Sequence, residues 1–251
     1  MWKSLEPISR GVLTLDAHLN LCVIVPTYNE RENVAPLIEA IEGIHYPGLT
    51  VLFVDDASPD GTADEVRRTA KSRPWVKLMT RERKMGIGSA YQSGFKAAIL
   101  EYDAEVLVEM DADLQHPPSA LPSLMEAIRE GADVAVASRY LPGGGIPQWS
   151  RLRRIVSKVA NAYARRLLGL KVRDATSGFR AYRREAAEQV ATANLPAKGF
   201  EFQVASLHVL KGSAKVAEVP FVFAYRTAGR SKLKFGDVVR FFFAVARIAL
   251  T

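Results

Sequence analysis

Residues 21–30 read Leu-Cys-Val-Ile-Val-Pro-Thr-Tyr-Asn-Glu, an apolar run that passes directly into polar residues. The run is typical of a buried β-strand, which we place at Leu21–Val25, and a helical pattern follows near Val34–Glu42. The same alternation of apolar run and helical pattern continues along the chain. Strands that are apolar throughout, with a helix between each pair, predict a mostly parallel sheet covered on both faces.

Four more apolar runs and three more helical patterns extend this alternation. The strands are predicted at Thr50–Val54, Val76–Met79, Val106–Met110 and Val134–Ala137, and the helices near Thr62–Ser72, Ser89–Glu101 and Leu121–Glu130. After Arg139 a loop with three consecutive glycines interrupts the alternation, and a basic helix is predicted at Ser150–Leu168. The sequence contains no internal repeat. We therefore predict one α/β domain over residues 1–234, with a C-terminal helix at 235–251.

The composition excludes several classes of protein. Of the 251 residues, 48% are apolar and 24% are charged, which is typical of a globular protein and excludes a fibrous or disordered chain. The N-terminus lacks the pattern of a signal peptide, and we find no run of eighteen apolar residues. The single cysteine, Cys22, excludes a disulfide framework and a thiolate metal site and favours a reducing, cytosolic environment.

Charge is distributed unevenly between the two parts of the chain. The net charge of +7 (34 − 27) combines −7 (14 − 21) in residues 1–150 with +14 (20 − 6) in residues 151–251. Residues 150–173 carry eight of these cations and no acid. This segment predicts a surface for an anion, and phosphate, anionic lipid, nucleic acid and an ordinary solvated helix face all remain open on charge alone.

Polar residues follow three of the predicted strands. They read Pro26-Thr-Tyr-Asn-Glu30, Asp55-Asp-Ala-Ser-Pro-Asp-Gly-Thr62 and Asp111-Ala-Asp-Leu-Gln-His116. Each stretch alone is also typical of a turn or a helix cap. Parallel strands bring their carboxyl ends to one edge of the sheet, where α/β proteins bind ligands. The three stretches together therefore predict the binding site.

The third stretch has the oxygen donors of a metal site. Asp111 and Asp113 lie two residues apart, so their side chains point the same way, roughly 7 Å apart along an extended chain. Mg²⁺ or Mn²⁺ is held by one or two such side chains and substrate phosphates, so Asp113 with Gln115 would suffice. His116 is a further possible ligand, although a lone histidine before two prolines is more typical of a structural role.

Two other nucleotide-binding patterns are excluded. Gly86-Ile-Gly88 resembles the start of a dinucleotide fingerprint, but it follows the third strand and Tyr91 stands where the last glycine belongs. The chain also lacks the Gly-Lys-Ser/Thr sequence of a phosphate loop. We interpret residues 84–94 as the entry to a helix whose N-terminus or small residues pack near the ligand.

Six motifs, in this order, resemble those of inverting family 2 glycosyltransferases. They are Val25-Pro-Thr-Tyr-Asn-Glu30, Asp55-Asp-Ala-Ser-Pro-Asp-Gly-Thr62, Met110-Asp-Ala-Asp-Leu-Gln-His-Pro117, Ser138-Arg-Tyr140, Thr176-Ser-Gly-Phe-Arg180 and Glu218-Val-Pro220. From about Leu21 to Leu233 the chain is most similar to the polyprenol-phosphate (dolichol-phosphate) mannose synthases. The resemblance implies a GT-A fold and metal-dependent transfer of mannose from GDP-mannose to polyprenyl (dolichyl) phosphate, with inversion.

The resemblance also implies roles for individual residues. The nucleotide-sugar set is Pro26, Tyr28, Glu30, Val54, Asp56, Asp111, Ala112, Asp113, Gln115, Arg139, Arg226 and Lys232. Within it, Asp113 and Gln115 are the metal ligands, and Asp113 and Arg139 are the catalytic residues. Arg139 could alternatively pair with an acid at a strand end. Arg153 and Ser157, one helical turn apart, are placed on the acceptor phosphate, with an ordinary surface helix as the alternative.

The expected partners follow from the same resemblance. They are GDP-mannose, polyprenyl phosphate and a membrane surface, which places the protein on the cytoplasmic face of a membrane. Nucleic acid is not expected, and an auxiliary membrane subunit is left open. Phe235 to Thr251 is interpreted as an interfacial amphipathic helix or as the start of a membrane region, with core packing of Phe241–Phe243 as the alternative.

Two other functions and one missing residue complete these expectations. A glucosyltransferase that uses UDP-glucose shares the nucleotide motifs, and a degenerate module that only binds anions or membranes shares the charge pattern. Related sequences carry an acid where Ala205 stands, which leaves Glu201 as a substitute. We assign no general base, because a phosphate acceptor is largely dianionic at neutral pH.

Overall fold

The structure of the chain is a computed structural model, and it describes residues 19–195, 197, 199–225 and 235–250. The strands are β1 (Leu21–Thr27), β2 (Leu49–Asp55), β3 (Val76–Thr80), β4 (Val106–Glu109), β5 (Val134–Ser138), β6 (Arg180–Arg183) and β7 (Val216–Pro220). The helices are α1 (Arg31–Glu42), α2 (Thr62–Ala70), α3 (Ile87–Tyr102), α4 (Leu121–Arg129), α5 (Arg151–Leu168), α6 (Arg184–Thr192), α7 (Phe202–Val209) and α8 (Phe235–Ile248). A 3₁₀ turn at Pro118–Ala120 precedes α4.

The strands form one sheet in the order β3-β2-β1-β4-β6-β5-β7. Strands β1, β2, β3 and β4 pair in parallel, and β5 pairs in parallel with β7. Strand β6 is antiparallel to both of its neighbours. All strands except β6 therefore end at the same edge of the sheet, and the ends of β2, β1 and β4 are adjacent there. The mostly parallel sheet predicted from the sequence is confirmed.

Helices cover both faces of this sheet. One apolar cluster packs α1, α2 and α4 against the face that carries Val23 and Phe53. The other cluster packs α3, α5, α6, α7 and α8 against the face that carries Ile24 and Val54. Strands β1, β2, β4 and β5 are buried on both faces, which is why they read as continuous apolar runs in the sequence.

Two glycines allow α3 to lie close to its neighbours. A Cβ atom on Gly94 would lie 2.5 Å from Cγ2 of Ile24 in β1, and one on Gly88 would lie 2.5 Å from the carbonyl oxygen of Ala197. Both contacts are too short for any larger residue. The Gly86-Ile-Gly88 stretch therefore serves the packing of α3, in agreement with our rejection of a dinucleotide fingerprint.

The second half of the fold holds the elements that we did not predict. Strand β6 has only four residues, two of them arginines, so it lacks the apolar run that marks the other strands. Strand β7 and helices α6 and α7 were also not predicted. The basic helix does form, and the side chain of Ser150 accepts a hydrogen bond from the main-chain N–H of Arg153 at its first turn. Among the helices in the described ranges, none is long and apolar enough to cross a membrane.

Candidate active site

The ends of β1 and β2 are joined by the side chain of Asp55. Thr27, its register partner on β1, donates from Oγ1 to Oδ1 of Asp55 at 3.0 Å. Ser58 donates to the same carboxylate through its main-chain N–H at 2.9 Å and its hydroxyl at 2.5 Å, and in turn accepts from the N–H of Asn29 at 3.0 Å. Asp55 therefore shapes the two loops rather than facing a ligand.

A second set of bonds connects the same loops through the Asp60-Gly61-Thr62 turn. Thr62 accepts at Oγ1 from the N–H of Glu30 at 3.0 Å, and Asp60 accepts from the N–H of Arg31 at 3.2 Å. Burial acts to raise the pKa of Asp60, but its hydrogen bonds with Thr62 and Arg31 lower it overall. Thr62 is thus a connecting residue as well as the first residue of α2. The structure has a turn at residues 59–60, the alternative to a binding role that the sequence analysis gave for this stretch.

Asp56 is engaged by an arginine that the sequence analysis did not select. It forms a buried ion pair with Arg81, whose Nε donates to Oδ1 at 2.5 Å, and its Oδ2 accepts from the N–H of Met85 at 3.0 Å. Both carboxylate oxygens are therefore bonded within the protein. This pairing fixes the loop after β3, which brings the Nζ of Lys84 to 4.1 Å from the ring centroid of Tyr28.

The remaining residues of the expected nucleotide-sugar set lie at the ends of the same strands. Pro26, Tyr28 and Glu30 are partly exposed after or near the end of β1. Val54 lies in β2, and its side chain is buried in the core beside α3. Only the main chain of Val54 is therefore positioned to contact a ligand at this edge.

The loop after β4 presents the candidate metal ligands. The side chain of Asp111 is 37% exposed, whereas Asp113 and Gln115 are buried and Ala112 packs in the core. The N–H of Gln115 donates to Oδ1 of Asp113 at 3.0 Å, and Gln115 is bonded through its own carbonyl oxygen to the N–H of Ala224 at 3.0 Å. In the described part of the chain, no three His, Cys, Asp or Glu side chains are close enough to hold a metal by themselves.

His116 supports this loop as a neutral, buried ring. Its Nδ1 accepts from the N–H of Asp111 at 3.0 Å, and its ring stacks on Phe179 at a centroid distance of 5.1 Å. Burial lowers the pKa of His116 to about 4. A ring nitrogen occupied by the main chain and a ring held between aromatic side chains favour the structural role for this histidine.

Arg139, at the carboxyl end of β5, is paired with Asp174. Its Nε and Nη2 each donate to one Asp174 oxygen at 2.7 Å, and its main-chain N–H donates to the same carboxylate at 3.0 Å. Both side chains are buried. Two of the three guanidinium nitrogens are therefore committed to an internal pair. The alternative offered for Arg139 was a pair with an acid at a strand end. The structure does pair Arg139 with an acid, but this acid lies in the loop before β6.

Asp174 is in turn held by Glu218 of β7. The Glu218 carboxylate accepts from the N–H of Arg173 at 2.7 Å and from the N–H of Asp174 at 3.0 Å. This accounts for Glu218 of the Glu-Val-Pro motif, to which we assigned no role. The motif fixes the loop that supplies the partner of Arg139.

The N-terminal turns of α5 bring Arg153 and Ser157 to the same edge of the sheet. The guanidinium carbon of Arg153 lies 4.0 Å from the ring centroid of Trp149, and Tyr140 donates from its hydroxyl to Oγ of Ser157 at 2.8 Å. Trp149 contacts Phe223, which contacts His116 of the loop after β4. A continuous set of aromatic contacts thus connects the candidate acceptor residues to the candidate metal loop.

A buried acid and a buried arginine lie one layer below this edge. Glu109 of β4 and Arg180 of β6 are register partners, and Arg180 donates to the carbonyl oxygens of Gln203 at 2.6 Å and Ala175 at 2.8 Å. Burial raises the pKa of Glu109 to about 7, against the lowering effect of the Arg180 charge. Arg180 therefore ties α7 and the 174–179 loop to β6, the strand paired with β4, which leads into Asp111.

For three residues named in the sequence analysis, the structure adds no support for the expected role. Arg226 and Lys232 lie outside the described residues. The carboxylate of Glu201, the substitute considered for a general base, accepts from the N–H of Gly199 at 3.0 Å. Asp174 and Arg81 were missed, and since each pairs with a residue distant in sequence, no local pattern indicated them.

Helices α5 and α8 present apolar side chains to solvent among cations. Leu152 is 71% exposed and Phe243 is 72% exposed, and Ile155 and Val159 continue the exposed side of α5. Phe241, by contrast, is buried against the core together with Val245 and Ile248. Core packing therefore holds for Phe241 and not for Phe243, and the interfacial role of α8 stays a prediction. The division between a domain ending at residue 234 and a separate helix remains a prediction.

Comparison with known proteins places the chain among relatives of stated activity. The profile described as glycosyl transferase family 2 matches residues 22–191. The chain is 43% identical over 230 residues to a polyprenol monophosphomannose synthase of Mycolicibacterium smegmatis, which covers 89% of this chain and 84% of the relative. It is 39% identical over 221 residues to an undecaprenyl-phosphate mannosyltransferase of Micrococcus luteus, a match that covers 88% of this chain and 90% of the relative. It is 41% identical over 223 residues to a dolichol-phosphate mannosyltransferase of Pyrococcus furiosus (86% and 60%).

Solved structures share the fold at low sequence identity. Glucosyl-3-phosphoglycerate synthase from Mycobacterium tuberculosis, in complex with Mn²⁺, UDP and phosphoglyceric acid, superposes with a TM-score of 0.68 at 20% identity, over 92% of this chain and 78% of that chain. A mannosyltransferase from Pyrobaculum calidifontis, in complex with GDP-Man and Mn²⁺, gives 0.59 at 18% identity, over 93% and 74%. At these identities the likeness establishes the fold.

Proposed function

Because the chain belongs to glycosyl transferase family 2, and is therefore a glycosyltransferase, we propose that it transfers mannose from GDP-mannose to the phosphate of a polyprenyl lipid. The named activities of three relatives at 39–43% identity support the mannosyl group and the lipid phosphate. GDP-Man in one structural neighbour supports the donor. The expected products are polyprenyl-phosphate mannose and GDP.

One observation in this chain supports the proposal most directly. The acidic loop after β4 and the basic start of α5 meet at one edge of the sheet, joined by the contacts of His116, Phe223 and Trp149. A transferase that joins two anionic substrates needs such a division. Acidic oxygens serve the donor diphosphate through a cation, and cationic side chains serve the acceptor phosphate, so that the two repelling groups are brought together.

The residues after β4 fit a divalent cation. Asp113 and Gln115 offer carboxylate and amide oxygens, which are ligands of Mg²⁺ and Mn²⁺, and Asp111 is exposed enough to contribute. Mg²⁺ is usually bound by only one or two protein side chains, with substrate phosphates and water as its other ligands, so a set of this size is sufficient. Mn²⁺ in two structural neighbours supports the same assignment. When bound, the cation would neutralise the charge that develops on the leaving diphosphate.

The chain's own groups supply binding and orientation, and no general base is needed. A phosphate monoester has its second pKa at about 6, so the acceptor is already a nucleophile at neutral pH. Arg153 and Ser157 would hold this phosphate, the first by charge and the second by a hydrogen bond. Tyr28, Glu30 and the main chain of Val54 would contact the nucleoside, and Asp56 would act through the Arg81 pair that orders the loop carrying Lys84.

The test is transfer of radiolabel from GDP-mannose to polyprenyl phosphate, measured after organic extraction with Mn²⁺ and with a chelator. We expect the wild-type protein to label the lipid only with metal. Asp113→Asn should abolish labelling and also weaken Mn²⁺-dependent binding of GDP, measured by calorimetry. Asp64→Asn is the matched control, because Asp64 is an exposed acid paired with Arg67 on α2.

Three outcomes would contradict the proposal in different ways. Labelling from UDP-glucose but not from GDP-mannose would show that the proposed donor is wrong in both its sugar and its nucleotide. Full activity of Asp113→Asn would remove the metal assignment. Binding of anionic lipid with no transfer from either donor would leave only an anion-binding module.

We further propose that the exposed face of α5 and α8 rests on an anionic bilayer, where the lipid acceptor resides. Leu152 and Ile155 on α5 and Phe243 on α8 would enter the interface, and Arg151, Lys158 and Arg166 would meet lipid phosphates. Tyr163 joins the two helices, since its hydroxyl donates to the carbonyl oxygen of Phe242 at 3.2 Å. The cytoplasmic face and an auxiliary membrane subunit stay predictions.

Co-sedimentation with vesicles tests this surface. The protein should bind vesicles that contain phosphatidylglycerol, with weaker binding at high salt because screening shortens the range of the attraction. The double variant Leu152→Ser/Ile155→Ser should bind several-fold less. Leu100→Ser, which changes an equally exposed leucine on α3, is the control. Equal loss in both variants would contradict the assignment of the surface to α5.

A further inference from the structure

The hydroxyl of Ser157 on α5 is hydrogen-bonded to Tyr140, in the loop after β5. Tyr140 follows Arg139 after β5, and its hydroxyl donates to Oγ of Ser157 at 2.8 Å. Within the part of the chain that the structure describes, the Ser157 hydroxyl accepts this bond and donates none. A hydroxyl has one proton to donate and two lone pairs to accept with. The bond from Tyr140 therefore occupies an accepting position and leaves the proton of Ser157 for another partner.

The turn of α5 that carries Ser157 is fixed by a buried asparagine. Asn161 donates from Nδ2 to the carbonyl oxygen of Ser157 at 3.1 Å and to Oγ1 of Thr176 at 2.8 Å. Its Oδ1 accepts from the N–H of Thr176 at 3.2 Å. The amide thus bonds in three directions. It joins the middle of α5 to the loop that precedes β6.

The same loop leads back to Arg139. Thr176 accepts at Oγ1 from Nη2 of Arg139 at 2.9 Å, beside the ion pair of that arginine with Asp174. Arg139 and Tyr140, which are consecutive after β5, are therefore both connected to Ser157, but through different contacts. Tyr140 contacts its hydroxyl directly, and Arg139 acts on its main chain through Thr176 and Asn161.

We propose that Tyr140 is a positioning residue that fixes the Ser157 hydroxyl as a hydrogen-bond donor to the phosphate of the lipid acceptor. The inference rests on the proposed function, in which Arg153 and Ser157 bind that phosphate. Without the tyrosine hydroxyl, Ser157 rotates and donates to the carbonyl oxygen four residues earlier in its own helix, as serine in a helix commonly does. The hydroxyl proton is then no longer available for a hydrogen bond to the acceptor phosphate.

The experiment compares Tyr140→Phe, Ser157→Ala and the double variant in steady-state kinetics, with GDP-mannose and polyprenyl phosphate varied in turn. We expect Tyr140→Phe to raise the acceptor KM by about threefold to tenfold, the factor that the loss of one neutral hydrogen bond gives, while donor KM changes by less than about twofold. In the Ser157→Ala background, Tyr140→Phe should have no further effect, because the group through which it acts is absent.

Tyr46→Phe is the matched control. Tyr46 donates to the carbonyl oxygen of Leu19, far from α5, so its loss should leave both KM values unchanged. Effects of Tyr140→Phe and Ser157→Ala that multiply in the double variant, or equal effects on the two substrates, would overturn the positioning role alone. A wild-type protein that binds donor but transfers nothing to polyprenyl phosphate would overturn the proposed function and this role with it.

Discussion

Replacement of Asp174 by asparagine is the sharpest test of how the site is held together. Asp174 is buried and receives three hydrogen bonds from Arg139, two from the guanidinium at 2.7 Å and one from the main chain at 3.0 Å. Asparagine has nearly the same shape but no charge, and its amide presents a donor where a carboxylate oxygen accepted. Asp174→Asn therefore leaves the Arg139 charge buried and unpaired.

The size of the effect follows from this burial. Removal of one member of a buried ion pair typically costs 3–5 kcal/mol, and we expect a loss of about 4 kcal/mol in the free energy of unfolding. For a chain of 251 residues, this corresponds to a fall of roughly 8–16 °C in the melting temperature. Asp64→Asn removes an exposed ion pair with Arg67 and should cost less than about 1 kcal/mol.

The pH dependence gives an independent check. Burial acts to raise the pKa of Asp174, but the charge and hydrogen bonds of Arg139 outweigh burial and lower it overall. An unfolded aspartate titrates at about 3.9, so the pair stabilises fully above that pH and its contribution is lost as pH falls through the lower pKa of the folded state. The difference between wild type and Asp174→Asn should therefore be constant at neutral pH and shrink below about pH 4.

Urea unfolding followed by tryptophan fluorescence, repeated over pH, measures both quantities. Transfer activity is assayed on the same samples, because a displaced Arg139 should also impair catalysis. If Asp174→Asn and Asp64→Asn lost the same stability, or if the difference for Asp174→Asn did not shrink in acid, the argument from the buried pair would be refuted.

Three further predictions concern the core and the loop that carries Asp174. Gly94→Ala should lower the free energy of unfolding by about 1–3 kcal/mol in thermal melts, since the new Cβ would lie 2.5 Å from Ile24. Gly236→Ala on α8 is the control and should not destabilise, because a Cβ there would have no neighbouring atom within 4 Å. Cys22 should not react with a disulfide reagent until the protein unfolds, because burial raises the pKa of its thiol to about 12; reaction of the native protein at the rate of a free thiol would contradict this. Glu218→Gln should cost about 1–3 kcal/mol in urea unfolding, less than Asp174→Asn, because one of two main-chain donors loses its acceptor; a larger cost than that of Asp174→Asn would reverse the order of importance.

Strands β1, β2, β4 and β5 could be predicted because they are buried on both faces. Leu21–Val25 and Val106–Met110 were each placed within two residues of their observed ends. The convergence of the stretches after β1, β2 and β4 followed from the same periodicity, since parallel strands fix where loops meet. Strand β6 was missed because two of its four residues are arginines, and the partners that satisfy the buried Arg180 lie on α7 and in the loop before β6.

Partners distant in sequence were beyond local patterns. Arg139 and Asp174 lie 35 residues apart, and Arg81 and Asp56 lie 25 apart, so composition marked the charges without indicating the pairs. For Arg139 the motif suggested a substrate phosphate, and the structure adds an internal carboxylate that accepts from two of the five guanidinium N–H groups. A side chain's charge is local information, whereas the group that satisfies it depends on the tertiary fold.

The position of β6 in the sheet has a consequence for biosynthesis. This strand is made after β4 and β5 but lies between them, so a nascent chain that ends near residue 175 has two strands with unpaired edges and an arginine whose counter-ion has no fixed place. The first four strands are free to assemble as they leave the ribosome, whereas closure of the sheet must wait for a segment translated much later. Such long-range closure is slow, and the emerging polypeptide needs protection from aggregation during that interval.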